Sequence, residues 1–476
     1  MRRGLGGVAA VALLAIVAPA ARASDDVPAP APAPAPLPAP APAPAPLPAP
    51  APLPALLPAP PPPAPPQAPP QAAPTPSPSP VTPAAKARDP HRLEWAPFPA
   101  IGGNSDMGLM LGVQPIFARF DPAYSPYRYR IQTQVAMSVK WWDGRGVYLP
   151  VHMHFFRVDL PGLAGGRLRL WVAAEYNQRN NAGYFGVGNA SEWDPSPTAP
   201  PPGETVLLTG HKRWQYREYE PLLRLNARLA LPHRLFFLSG VRFTWHRTDA
   251  YAGSVLASDR PRLKGLSDHV AMQLAAAIQY DTRDHETTPS RGFLAEAQVR
   301  GSPGLGSGLH FGGATLDGRS YVSLYGEWLV LATRVFGDFL FGNVPFYELS
   351  RASSFENRQY PGGRDGFRGV PEGRYHGRIK LGADVELRSM FRTFHLLGER
   401  FRLGALLLAD AGRVWSDFSP DRALDGTGAG IRWGAGAGIR FQVGETVLAR
   451  FDFSYSPDAI SGGLPVGIYV DIGHVF

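Results

Sequence analysis

The sequence predicts an all-β fold, a 16-stranded antiparallel transmembrane β-barrel preceded by a disordered Pro/Ala-rich linker. Three observations carry this. Beyond residue 89, segments of about ten residues alternate apolar and polar side chains with period two, as strands do when their faces meet different surroundings. The polar face repeatedly carries Arg, Asp, Lys and His, which suits a water-filled lumen with the apolar face toward lipid. After residue 19 no apolar run reaches the ~20 residues of a spanning helix, so a membrane-resident chain must satisfy its backbone as a closed barrel.

Taken in order, residues 1–23 open with Met1, Arg2 and Arg3, continue as an apolar run over 5–19, and end in Ala21-Arg22-Ala23. This is the pattern of a secretory signal peptide cleaved before Ser24. The 476-residue chain has no cysteine, so an exported product has no disulfide framework to rely on. Residues 24–88 are mainly Pro-Ala alternation and hold more than half of the 53 prolines. Proline fixes φ and removes the N–H donor, so this segment is expected as a solvated, polyproline II-like periplasmic linker. The formal net charge of +8 is almost entirely arginine, without a Lys/Arg block or an aromatic-interleaved basic patch. Nucleic acid is therefore excluded as a partner.

Residues 89–476 form the barrel domain, with strands expected at about 96–103, 106–118, 128–141, 146–158, 167–179, 211–230, 234–249, 269–282, 291–301, 319–332, 338–350, 378–391, 401–412, 428–441, 445–456 and 465–476. An even count returns both termini to the periplasmic side. Residues 159–166, 231–233 and 281–290 then become periplasmic turns, and 181–210, 251–267 and 351–377 become extracellular loops. In the last strand Val466, Ile468, Val470, Ile472 and Phe476 share one face.

Two places stand out. The first is YPGGRDGFRGVPEGRY, residues 360–375, with five glycines and three arginines. Such a loop packs its backbone closely while presenting a fixed positive charge. Folded into the lumen, its arginine requires carboxylates, and Glu386 and Asp410 on the following strands supply them. A solvated extracellular loop is the alternative. The second is the seam between the first and last strands. Pro97 and Pro99 donate no ladder hydrogen bond, and Gly102, Gly103, Gly467 and Gly473 weaken pairing nearby. This reads either as a lateral opening toward lipid or as a short first strand with ordinary rim glycines.

Enzyme chemistry finds no support. Asp281, Asp284, His285 and Glu286 cluster without H-E-x-x-H spacing, His152 and His154 merely share an inward strand face, and no G-x-S-x-G elbow occurs. No cofactor or metal is implied.

Several segments, in this order and spacing, resemble the bacterial surface antigen barrels of the BamA/TamA-type outer-membrane assembly superfamily. They are FPAIGGNSDMGLMLGV (98–113), YFGVGN (184–189), QYDTRDHETTPSRGFLAEAQV (279–299), RQYPGGRDGFRGVPEGRY (358–375), VELRSMF (385–391), LLADAGRVW (407–415) and the final strand. The resemblance implies a mid-barrel turn motif at Asp281, Arg283, Asp284, Pro289 and Gly292. It also implies a lumen-loop lock of Arg368 and Gly369 on Glu386 and Asp410, and a C-terminal assembly signal at Phe476. A Pro-Ala segment stands where most members carry periplasmic POTRA domains, so a barrel-only member is expected. The implied function is insertion or translocation of proteins, or lipid, at the bacterial outer membrane, with a passive pore or structural surface antigen as the alternative. The implied partners are outer-membrane lipids, the assembly machinery, and client proteins or a periplasmic partner.

Overall fold

The computed structural model describes residues 91–124, 127–141, 146–191, 193, 210–326, 328–355, 358–396, 399–443, 447–458, 466–472 and 474–476. The expected signal peptide (1–23) and linker (24–88), together with Gly473, lie outside the described residues.

Among the described residues, sixteen strands close a barrel. They are β1 (Leu93–Asn104), β2 (Gly108–Arg119), β3 (Tyr129–Val139), β4 (Val151–Gly162), β5 (Leu168–Gly183), β6 (Gln215–Ala230), β7 (Leu235–Ala250) and β8 (His269–Asp281). The second half comprises β9 (Gly292–Gly304), β10 (Leu309–Tyr325), β11 (Leu329–Gly342), β12 (Ile379–Leu396), β13 (Glu399–Trp415), β14 (Arg432–Val443), β15 (Val447–Tyr455) and β16 (Val466–Ile472). Every strand pairs antiparallel with its sequence neighbours, and β1 closes onto β16.

The alternation in the sequence sets the two surfaces. In β2, Leu109, Leu111 and Val113 are exposed on the outer face, whereas Met110 is buried inside. In β8, Val270, Leu274 and Ile278 face out while Gln273 and Gln279 face in. Charges in the lumen are paired rather than simply wet. Arg300 donates to Asp338 at 2.8 Å, and the Lys380 ammonium lies 2.9 Å from the same carboxylate. A buried charge without such a partner costs several kcal/mol, on the order given for ions withdrawn from water.

The β10–β11 hairpin differs from expectation by about one turn's width. Strands expected at 319–332 and 338–350 are found at Leu309–Tyr325 and Leu329–Gly342. Gly312 and Gly313, outside the expected strands, lie within β10. A Cβ at Gly313 would stand 3.0 Å from both the Arg300 guanidinium and the Leu340 side chain, so interior packing selects glycine there. The reversal falls beyond Tyr325, at Gly326 with φ 53°. Residues 346–350, expected to end a strand, form a buried 3-10 turn (Phe346–Ser350) instead.

The C-terminus is a second correction. β16 stops at Ile472, and Phe476 does not continue the outer face. Val475 and Phe476 turn into the barrel and pack on Tyr321, Val330 and Ala332. Arg388 fixes them there, donating to the Phe476 carbonyl oxygen at 2.8 Å with its guanidinium 5.0 Å from the ring centroid.

Candidate functional site

The described residues of 343–378, between β11 and β12, fold down inside the barrel. Phe346, Tyr347, Tyr360, Phe367, Val370 and Tyr375 are all buried. A short ladder pairs Arg351 with Gln359 and Ala352 with Arg358. Packing is close enough to demand glycine where the loop meets the wall. A Cβ on Gly434 of β14 would lie 2.0 Å from the Arg368 carbonyl oxygen, and Gly369 adopts φ 95° with Tyr455 and Ser456 about it.

Arg368 sits at the tip with no solvent exposure. Its Nε and Nη2 donate to the two Asp410 oxygens at 2.8 and 2.9 Å, and its own backbone N–H donates to Asp410 Oδ2 at 2.8 Å. Nη1 donates to Glu386, and to Asp452 at 3.3 Å. The structure therefore brings together Arg368, Glu386 and Asp410 and adds Asp452 of β15. A planar guanidinium fork suits this arrangement, because its donors diverge toward several acceptors at once. The surplus negative charge is met from the wall. Arg388 donates to Glu386 at 2.7 Å, Arg440 donates to Asp452, and Arg334 lies 3.6 Å from Asp384. Asp384 faces Asp410 directly across the β12–β13 ladder.

The same loop also grips the seam strands. Gly369 N–H donates to the Tyr469 hydroxyl of β16 at 2.9 Å, and Ser454 of β15 donates to the Arg368 carbonyl at 3.0 Å. Glu372 reaches the β1–β2 turn. Its N–H donates to Asp106 Oδ2 at 3.0 Å, while Asn104 and Arg179 donate to its carboxylate at 3.3 and 2.8 Å. Burial and the neighbouring Glu372 carboxylate push the Asp106 carboxyl up to about 6. None of Asp452, Tyr469 and Glu372 was singled out from the sequence. The inward phase of Asp452 between Phe451 and Phe453 was the available signal.

Among the described residues the seam itself is short. β1 pairs with β2 over twelve residues, but with β16 only at Gly103↔Val470 and Asn104↔Tyr469, beside one Ser105 N–H bond to the Ile468 carbonyl at 3.1 Å. A Cβ at Gly102 would press within 2.9 Å of the Val470 carbonyl oxygen, and one at Gly467 within 2.4 Å of the Tyr469 hydroxyl. The direction of the unpaired groups follows from the ladder. Phe120 N–H donates to the Arg92 carbonyl, so even-numbered residues of β1 bond β2, and odd-numbered ones turn their backbone toward the seam. Pro97 and Pro99 are both odd. They delete donors from the edge that faces β16, over the stretch where no pairing occurs.

The mid-barrel turn motif stands apart from this hub. Arg283 chelates Asp281 at 3.0 and 2.9 Å. Asp284 accepts from the Ser290 hydroxyl and from the backbone N–H groups of His285, Ser290 and Arg291. Partial burial raises the Asp284 carboxyl, but these donors hold it below the usual carboxylate range. Pro289 lies in the same turn, and Gly292 takes φ 111° where a Cβ would meet the Thr282 carbonyl oxygen at 2.5 Å. These groups order the β8–β9 turn, at the barrel end that holds the start of β1.

Residues 216–476, more than half of the chain, match the Omp85 superfamily domain. The chain belongs to the Omp85 superfamily. It is thus an outer-membrane barrel of that superfamily. CdiB from Escherichia coli shares the fold, with TM-score 0.52 and 14% identity over 82% of this chain and 64% of that one. BamA from Haemophilus ducreyi lacking POTRA domains 1–3 aligns with TM-score 0.48 and 14% identity, covering 82% of this chain and 71% of that one. CdiB from Acinetobacter baumannii aligns with TM-score 0.44 and 11% identity, covering 81% and 66%. The Omp85 barrel described here thus spans less than two thirds of each CdiB chain. No curated protein matches the sequence.

Proposed function

We propose that this Omp85 barrel inserts or translocates polypeptide substrates at the outer membrane, without covalent chemistry, by parting the β1/β16 seam. The observation that carries this is the contrast between two paired positions at the seam and twelve in the adjacent β1–β2 ladder. Backbone hydrogen bonds are the main cohesion between barrel strands, so the seam is where separation costs least. Arg368 acts as the fixed post of the device. It ties the loop to β12, β13 and β15, while Gly369 and Glu372 hold the movable edges at β16 and the β1–β2 turn.

Purified barrel reconstituted in liposomes tests this. Faster insertion of an unfolded client barrel, compared with empty liposomes, is the expected result. Steady ion conductance with no effect on client insertion would replace it with a passive pore.

A further inference from the structure

Below the lumen loop, on the side where β1 begins, lies a cavity of about 870 Å³, within the roughly 300–1,000 Å³ usual for ligand sites. Its walls include both edges of the seam. Ile101 and Ile472 line it, yet both are also more than half exposed on the outside of the barrel, at 55% and 51%. They would face each other two rungs beyond Gly103↔Val470, and they are unpaired across the seam. Residues on both edges of the seam thus line the cavity and also meet the outer, lipid-facing surface.

The lining carries both signs of charge, with a positive excess. Ten arginines against seven carboxylates face it. Arg364 reaches the seam strand, 3.4 Å from Asp471 of β16 and 4.0 Å from Asp365, and both Arg364 and Asp471 keep about a quarter of their side chains exposed (27% and 28%). Gln114, Gln132 and Gln134 of β2 and β3 add neutral donors, and Ala100, Met110 and Phe476 supply an apolar wall. A guanidinium with spare donors beside an apolar wall fits an anionic head group whose tail remains outside.

We infer that this cavity binds the net anionic, phosphate-bearing head group of a membrane lipid, admitted sideways through the β1/β16 gap. A polypeptide held in the cavity as a strand added along β1 fits less well. Pro97 and Pro99 remove backbone donors from the edge that an added strand would use, whereas an acyl chain requires none. The inference rests on the gap and the cavity and not on client transport, so a barrel that inserts no client could still bind lipid.

The test is native mass spectrometry of the delipidated full-length protein titrated with phosphatidylglycerol or phosphatidylcholine. Selective retention of phosphatidylglycerol is expected. Arg364→Ala should weaken it about tenfold, the equivalent of one charge-assisted hydrogen bond, with partial recovery in Arg364→Lys. The chain has no cysteine, so an Ile101→Cys/Ile472→Cys disulfide can be placed alone. Oxidation should abolish lipid binding, and reduction should restore it. Equal retention of the two lipids, or binding that survives the disulfide, would overturn the inference. So would displacement of the bound lipid by inorganic phosphate alone, or a co-purifying peptide occupying the site in place of lipid. Unchanged heat-modifiability on gels establishes that each variant is folded.

Discussion

Removing the Arg368 guanidinium leaves Glu386, Asp410 and Asp452 without their shared cation, in a place that excludes solvent. Breaking a buried pair from one side costs about 3–5 kcal/mol, less where water fills the gap. Arg368→Ala should therefore lower the temperature at which the folded, fast-migrating band converts on gels. Arg368→Lys should restore only part of the loss, because an ammonium cannot chelate Asp410 while reaching Glu386 and Asp452. An Arg368→Ala barrel with an unchanged transition would remove the lock from the account. At this scale the sequence was informative where phase alone sufficed. Period-two alternation places Glu386 inward, and a multi-donor fork explains why two carboxylates await one arginine. Asp452 has the same inward phase, but nothing local says that β15 brings it to the depth of the Arg368 tip. That depends on barrel stagger, which residue spacing does not encode.

Between elements, the loop is joined to the β1–β2 turn through Asp106 and Glu372. The Asp106 carboxyl is raised to about 6, above the ordinary carboxylate value of about 3.9. Burial and the Glu372 carboxylate thus make folding favour the protonated form, although the Glu372 N–H favours the ionised one; the net contribution is present at low pH and lost as pH rises through about 6. The difference in gel transition temperature between the native protein and Asp106→Asn should accordingly change between pH 5 and 7.5, with the native protein losing ground at the higher pH. A difference that stays constant across that range would show that Asp106 does not titrate there. Gly434 offers a second check on the loop. Gly434→Val places a side chain against the Arg368 carbonyl, where a Cβ alone would come to 2.0 Å, so the loop tip must lift from β14. Increased protease cutting within residues 360–375 is the expected readout, and equal cutting would contradict the contact. Element boundaries were readable wherever alternation was clean. They failed at β10–β11, where glycines needed for close packing inside the barrel resemble those of a turn.

For the whole barrel, the shortest ladder among the described residues is the one that closes it. The lumen loop occupies the interior beneath the end opposite the start of β1, and the terminal Phe476 turns inward instead of extending β16 along β1. The apolar run at the C-terminus could not reveal this, because lipid and a packed lumen accept the same side chains. The prolines of β1 were more telling, since a missing N–H weakens any ladder regardless of its surroundings. The central property proposed for the molecule is then a seam that opens. The most direct measurement is client insertion by the Ile101→Cys/Ile472→Cys protein in liposomes, before and after reduction. The account predicts that the oxidised barrel, folded and closed, fails to accelerate insertion and regains the activity on reduction. Full activity with the seam locked would contradict it.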